Sequence, residues 1–129
     1  MKVLTIIQED HPGLLAEVAT LLEKENIGVE DFSGTAVGDT AVLTLTVRPY
    51  RRAFQLLSKA GYRVVASEHL LLRLARRPGA LAELSRKLAE ADIDVRGMQI
   101  VNMEADAGVV ALETADHEKA REVLKDLLV

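Results

Sequence analysis

Cysteine is absent from the 129 residues. That excludes disulfides, thiolate metal sites and a cysteine nucleophile. Aromatic residues are scarce: Phe32, Tyr50, Phe54 and Tyr62 are all there are, so base-stacking platforms for nucleic acid are poorly supplied. Basic charge is in deficit, with 16 Lys and Arg against 20 Asp and Glu and a net charge of −4. A nucleic-acid surface needs the opposite balance. No apolar run approaches the ~20 residues that cross a bilayer. The start, MKVLTIIQEDHPG, has one lysine and a short apolar stretch. It lacks the long apolar core and small-residue cleavage site of a signal peptide, and we expect a cytoplasmic protein. With 49% apolar and 28% charged residues, the composition is that of a globular protein.

What the chain does have is an internal repeat. Shifted by 66 positions, Pro12-Gly13 falls on Pro78-Gly79 and Leu15-Ala16-Glu17 on Leu81-Ala82-Glu83. Leu22 meets Leu88, Ile27 meets Ile93 and Val29 meets Val95. With one further residue inserted, Asp39 meets Asp106 and Leu45 meets Leu112. The duplication spans nearly the whole chain.

Each copy reads as the same series of elements. KVLTIIQ (2–8) is short, apolar and β-branched, as a strand is. Pro12-Gly13 interrupts it, and proline suits the first turn of a helix. Leu15, Val18, Ala19 and Leu22 then recur at helical spacing, with Glu17 and Glu23 opposite. Asn26 and Gly28 suit the helix exit. Strands follow on either side of Gly38-Asp39, a hairpin signal. A helix over 51–61 and a strand over 62–67 complete the first copy. The second copy predicts a strand at 69–75, a helix at 79–91, strands at about 94–102 and 108–114, and a helix at 116–127. Its fourth strand is missing. The order β-α-β-β-α-β predicts an α+β fold of two ferredoxin-like units in tandem, 1–67 and 68–129, each an antiparallel sheet with helices on one face. Such small units bury little core alone, and an open sheet edge invites pairing. We therefore expect a homo-oligomer, a dimer.

The strand, then D-x-P-G-x-L, then an Ala/Leu-rich helix leaving through E-x-N-I or A-D-I-D-V, then a hairpin, resembles the ACT domain. Two copies covering the chain resemble the stand-alone tandem-ACT proteins. The resemblance implies a small ligand, most often an amino acid, bound where the first strand-to-helix loop meets a helix-to-strand turn, commonly at an interface between ACT units. It implies polar contacts from the position two before proline, here Asp10 and Arg76, and from the start of the second strand, here Gly28 and Asp94.

The residues themselves allow two readings each. A helix N-terminus offers free N–H groups and partial positive charge, so a carboxylate could sit on Gly13-Leu14 and Gly79-Ala80. Pro-Gly is also simply a good turn. Asp10, beside His11, could hold an ammonium group or cap the helix. Arg76 and Arg77 could clamp a carboxylate or remain solvated. Asp94 could be a ligand contact or an ordinary helix exit. His11, His69 and His117 have no metal-ligand spacing, and we expect no metal and no cofactor. No nucleophile-base pair or phosphate-cradling loop is present, so the chain reads as non-catalytic. Two functions compete: a regulatory module that binds a small ligand and signals in trans to an enzyme or regulator, and a structural or protein-interaction module with a degenerate site. The mismatched positions Asp10/Gly28 and Arg76/Asp94 motivate the second.

Overall fold

Alternation along the strands sets up each core. In a computed structural model, which describes residues 1–103 and 107–129, Ala41, Leu43, Leu45 and Val47 all point inward from one strand, the period-2 pattern of a half-buried sheet. Leu70, Leu72 and Leu74 do the same in the second copy. The chain divides into two compact units, Lys2–Ser67 and Glu68–Val129 with Met1.

The first unit contains β1 (Lys2–Glu9), α1 (Leu14–Lys24), β2 (Gly28–Val37), β3 (Thr40–Arg48), α2 (Tyr50–Lys59) and β4 (Val64–Glu68). The sheet order is β2-β3-β1-β4. β1 and β2 both pair antiparallel with β3, and Val37 opposes Thr40 across the two-residue turn Gly38-Asp39. The matching Asp106 of the second copy lies outside the described residues. α1 buries Leu14, Val18 and Leu22 against Leu4, Ile6, Leu43 and Leu45. Each such side chain contributes about 1.5–3 kcal/mol by leaving water.

Here the structure corrects the helical face read from the sequence. Leu15 is 51% exposed and Ala19 is exposed, because the register of α1 runs from Leu14 and not from its neighbour. Pro12 also stands outside the helix, whose N-cap is Gly13.

The helix exits agree with their sequence signals. Ile27 N–H donates to the Leu22 carbonyl at 2.9 Å and Asn26 N–H to that of Glu23 at 3.0 Å. This is a Schellman closure, with Asn26 in the left-handed conformation at φ 56 and the buried pair Ile27 and Leu22 beside it. Asp92, also at φ 56, repeats the arrangement with Ile93 and Leu88.

The second unit contains β5 (Leu70–Ala75), α3 (Ala80–Glu90), β6 (Val95–Met103), β7 (Ala107–Thr114) and α4 (His117–Val123), followed by a 3-10 turn, Lys125–Leu127. Its sheet order is β5-β7-β6. On the outer edge of β5 a single antiparallel bridge joins Leu72 to Leu128, and Val129 N–H donates to the Leu71 carbonyl at 3.0 Å. The helix expected over 116–127 is two pieces. Asp116 caps its start, accepting from the Lys119 N–H at 3.0 Å. The chain then tightens after the fully buried Leu124, which lets Leu127 and Leu128 also pack on the core. No helix among the described residues is long and apolar enough to cross a membrane.

Candidate functional site

The two strand-to-helix links are built alike. Gly13 and Gly79 sit at φ 90 and φ 89 as the N-caps of α1 and α3, and neither helix has a side-chain cap. An L side chain is strained at such φ values, which accounts for glycine at both places. Leu14 N–H donates to the His11 carbonyl and Ala80 N–H to that of Arg77, both at 3.2 Å. These two amides, proposed from the sequence as carboxylate donors, are therefore already engaged. In each helix the N2 and N3 amides, those of Leu15 and Ala16 in α1, lack an intrahelical acceptor.

Asp10 does not cap α1. Its own N–H donates to the Asp39 carbonyl at 2.7 Å, tying the loop to the β2–β3 hairpin, and the residue is exposed. His11 and Arg77, at matching positions, both turn to the helix that follows. His11 Nε2 lies 3.0 Å from Glu17 Oε2. The Arg77 guanidinium forks onto Glu83 with hydrogen bonds of 3.1 and 2.6 Å. Those hydrogen bonds, and then the Arg77 charge, hold the Glu83 carboxyl below its usual range. Arg77 is thus committed to an internal carboxylate, the geometry its planar fork favours.

In the first unit the loop opens onto a groove of about 390 Å³. Asp10, His11 and Gly13 form its mouth, Leu14, Ala41 and Leu43 its floor, and Phe32, Gly34 and Thr35 a wall. The volume falls within the ~300–1,000 Å³ of small-molecule pockets, and an apolar lining with a few polar groups at one end is their usual composition. A Cβ on Gly34 would meet Leu43 Cδ2 at 3.1 Å and Phe32 Cε1 at 3.5 Å, so glycine there keeps the wall thin.

Gly28 does not share this groove. It pairs with Arg48 at one end of β3, while Glu9, next to Asp10, pairs with Thr40 at the other. Eight residues of strand separate the two ends, roughly 25 Å. The second unit repeats the separation. The Asp94 backbone carbonyl accepts from the Ala115 N–H at 3.0 Å and its carboxylate lies 3.5 Å from Arg96, at the end of β7 away from Ala107. Arg76, Arg77 and Gly79 follow Ala75, which pairs with Ala107. Within either unit, then, the two polar positions stand at opposite ends of the sheet. Of the second-unit candidates, Arg77 and Ala80 border a smaller groove of about 240 Å³ between β5 and α3. Arg76 and Gly79 are exposed in the loop beside it.

Phe32, Gly34, Thr35 and Glu17 were not singled out by the sequence. The run Gly34-Thr35-Ala36, small residues in a strand, was the available signal for the groove wall. The His69 side chain is enclosed, at 12% exposure, with Glu113 3.4 Å away. The Met1 ammonium donates to its carbonyl at 2.8 Å. Among the described residues no cluster of three or more metal-ligating side chains forms.

The model of the ACT domain pair matches residues 1–128. The chain belongs to this family. Solved structures share its fold. The Bacteroides thetaiotaomicron protein BT0572 is 26% identical, with a TM-score of 0.78 over 97% of this chain and 86% of that one. The regulatory subunit of aspartate kinase from Thermus flavus is 15% identical, with a TM-score of 0.68 over 97% and 90%. That from Thermus thermophilus, in a ligand-free form, is also 15% identical, with a TM-score of 0.64 over 96% and 88%. At that identity the kinase subunits speak for the fold. Comparison with curated proteins finds no match.

Proposed function

We propose that this ACT domain pair is a non-catalytic regulatory module that binds a small ligand, an amino acid, in the groove of its first unit and signals in trans to an enzyme or regulator. The observation that carries the reading is the groove of about 390 Å³ opening at Asp10 and Gly13. Its size suits an amino acid. Asp10 at the mouth offers a carboxylate for an ammonium group. The N-terminal amides of α1 and its dipole favour the ligand's carboxylate. Leu14, Leu43 and Phe32 would take an apolar side chain.

A second copy of the chain is proposed to close the open side. Leu15 and Phe32, both lining the groove, are exposed hydrophobics at 51% and 37%. β2, an edge strand, is exposed along its whole length. Both features favour an added surface. Binding across such an interface would shift its geometry by the ligand's differential affinity for the two arrangements.

The competing reading, an interaction module with a degenerate site, is favoured in the second unit by one observation: Arg77 is already neutralised by Glu83. We expect unequal copies, with the loop site retained in the first. Amide chemical-shift mapping tests this. Titration with a bound amino acid should move Asp10–Leu15 and Phe32–Ala36. Binding that leaves those segments unmoved would overturn the assignment.

A further inference from the structure

The two repeats close one groove differently. In the first unit the space between β1 and α1 on the β4 side is filled by the protein itself. Tyr62 and Leu21 pack there, partly buried, against the core. The Tyr62 hydroxyl is within hydrogen-bonding reach of Glu17. Burial and then the Glu17 charge raise its pKa, which keeps the phenol a donor. Glu17 therefore serves two partners, the Tyr62 phenol and the His11 ring at 3.0 Å.

The second unit keeps part of this arrangement. Glu83 replaces Glu17 and Arg77 replaces His11, at 2.6 Å. Lys87 stands where Leu21 stands, and Ala80 where Leu14 stands. The segment passing this end of β5 is the 3-10 turn Lys125–Leu127, which brings Leu127 and no aromatic ring. A groove of about 240 Å³ is left, floored by Leu74, Ala80 and Leu84 and rimmed by Arg73, Arg77 and Lys87.

We propose that this β5–α3 groove binds a small phenolic acid, whose ring occupies the place that Tyr62 fills in the first unit. The volume lies below the ~300 Å³ of drug-sized pockets and has room for a single ring. An ionised carboxylate has about four lone-pair sites, so Glu83 can accept a hydrogen bond from a phenol O–H while holding Arg77, as Glu17 does with Tyr62 and His11. The rim carries three cations and one carboxylate, a field that favours an anionic tail. This groove faces the outer edge of β5, whereas the first-unit groove faces β2 and β3. The inference stands apart from amino-acid binding there.

The test is titration of the full chain with 4-hydroxyphenylacetate, read by amide chemical shifts. Perturbations should be confined to Arg73–Ala75 and Ala80–Lys87, with a Kd on the order of 1 mM or tighter. Phenylacetate, which lacks the hydroxyl, and 4-methylphenol, which lacks the carboxylate, should each bind about tenfold more weakly. Glu83→Gln and Lys87→Leu, both exposed positions, should each weaken binding by about tenfold while leaving the remaining spectrum that of the folded chain. Unmoved amides at about 10 mM probe, equal binding of phenylacetate, or an unaffected Glu83→Gln variant would overturn the proposal. Tighter binding of N-acetyltyrosinamide than of the acid would also overturn it, by pointing to a tyrosine side chain of a partner.

Discussion

Nε2 of His11 lies 3.0 Å from Oε2 of Glu17, and the same relationship recurs 66 positions later as Arg77 on Glu83. The change from Asp10-His11 to Arg76-Arg77 therefore preserves one interaction within the duplicated loop. What differs between the copies is the residue before it and how much of the partner's charge is neutralised. An imidazole is charged only when protonated, whereas a guanidinium is always charged.

Removing Arg77 should return the Glu83 carboxyl toward its ordinary value of 4.5. The folded-state pKa is lowered, so this contribution to stability is present above the unfolded value and is lost as pH falls through the folded one. The denaturation midpoints of the parent and Arg77→Ala should converge as pH drops below 4.5. A carboxyl titration of Glu83 that is unchanged in the variant contradicts the pairing.

His69 should set a second pH dependence of opposite origin. Burial lowers its pKa from 6.5, and this outweighs the opposing pull of Glu113. Although Glu113 stands 3.4 Å away, the ring is enclosed enough for desolvation to dominate. Glu68 and the Met1 ammonium also act on it. The unfolded chain then takes up the proton first. Stability should be full above pH 6.5, decline as pH falls below that value, and level off beneath the folded pKa. Urea midpoints of the parent and His69→Asn across this window should show a shallower decline in the variant.

The left-handed helix exits should discriminate sharply between substitutions. Asn26→Val places a β-branched residue at φ 56 and should destabilise by about 1–3 kcal/mol. Asn26→Gly and Asp92→Gly relieve the same strain and should be neutral or stabilising. Thermal denaturation of the three variants checks the order, and equal melting temperatures for Asn26→Val and Asn26→Gly would sink the argument.

Much of this fold was legible in the sequence. The repeat exposed one β-α-β-β-α-β unit and a second copy without its last strand, Gly38-Asp39 announced a hairpin, and Asn26 and Asp92 marked helix exits. Local chemistry determines each of these. The face of α1 was less legible, because Leu14 and Leu15 are both apolar and only packing decides which one turns inward. Within one unit Asp10 does not meet Gly28, nor Arg76 Asp94, for a topological reason. Chain proximity through a helix says nothing about which end of the sheet each position reaches, and β3 and β7 hold them apart. Glu17 read as a charge on the outer helix face because its partner lies in the preceding loop, off the helical spacing.

Gly34→Val should separate binding from folding. The new side chain meets Leu43 and Phe32 in the wall of the first-unit groove, so it should abolish amino-acid binding there. The overpacking cost, about 1–3 kcal/mol, should leave the variant folded by far-ultraviolet circular dichroism. Unimpaired binding in a folded variant would place the ligand elsewhere.

The most direct measurement is a thermal-shift panel of the twenty amino acids on the parent chain and on Gly34→Val. One or a few amino acids should stabilise the parent, by about 2.7 kcal/mol at a hundred times their Kd, and should leave Gly34→Val unmoved. A flat response of the parent to all twenty would contradict amino-acid sensing by this ACT domain pair.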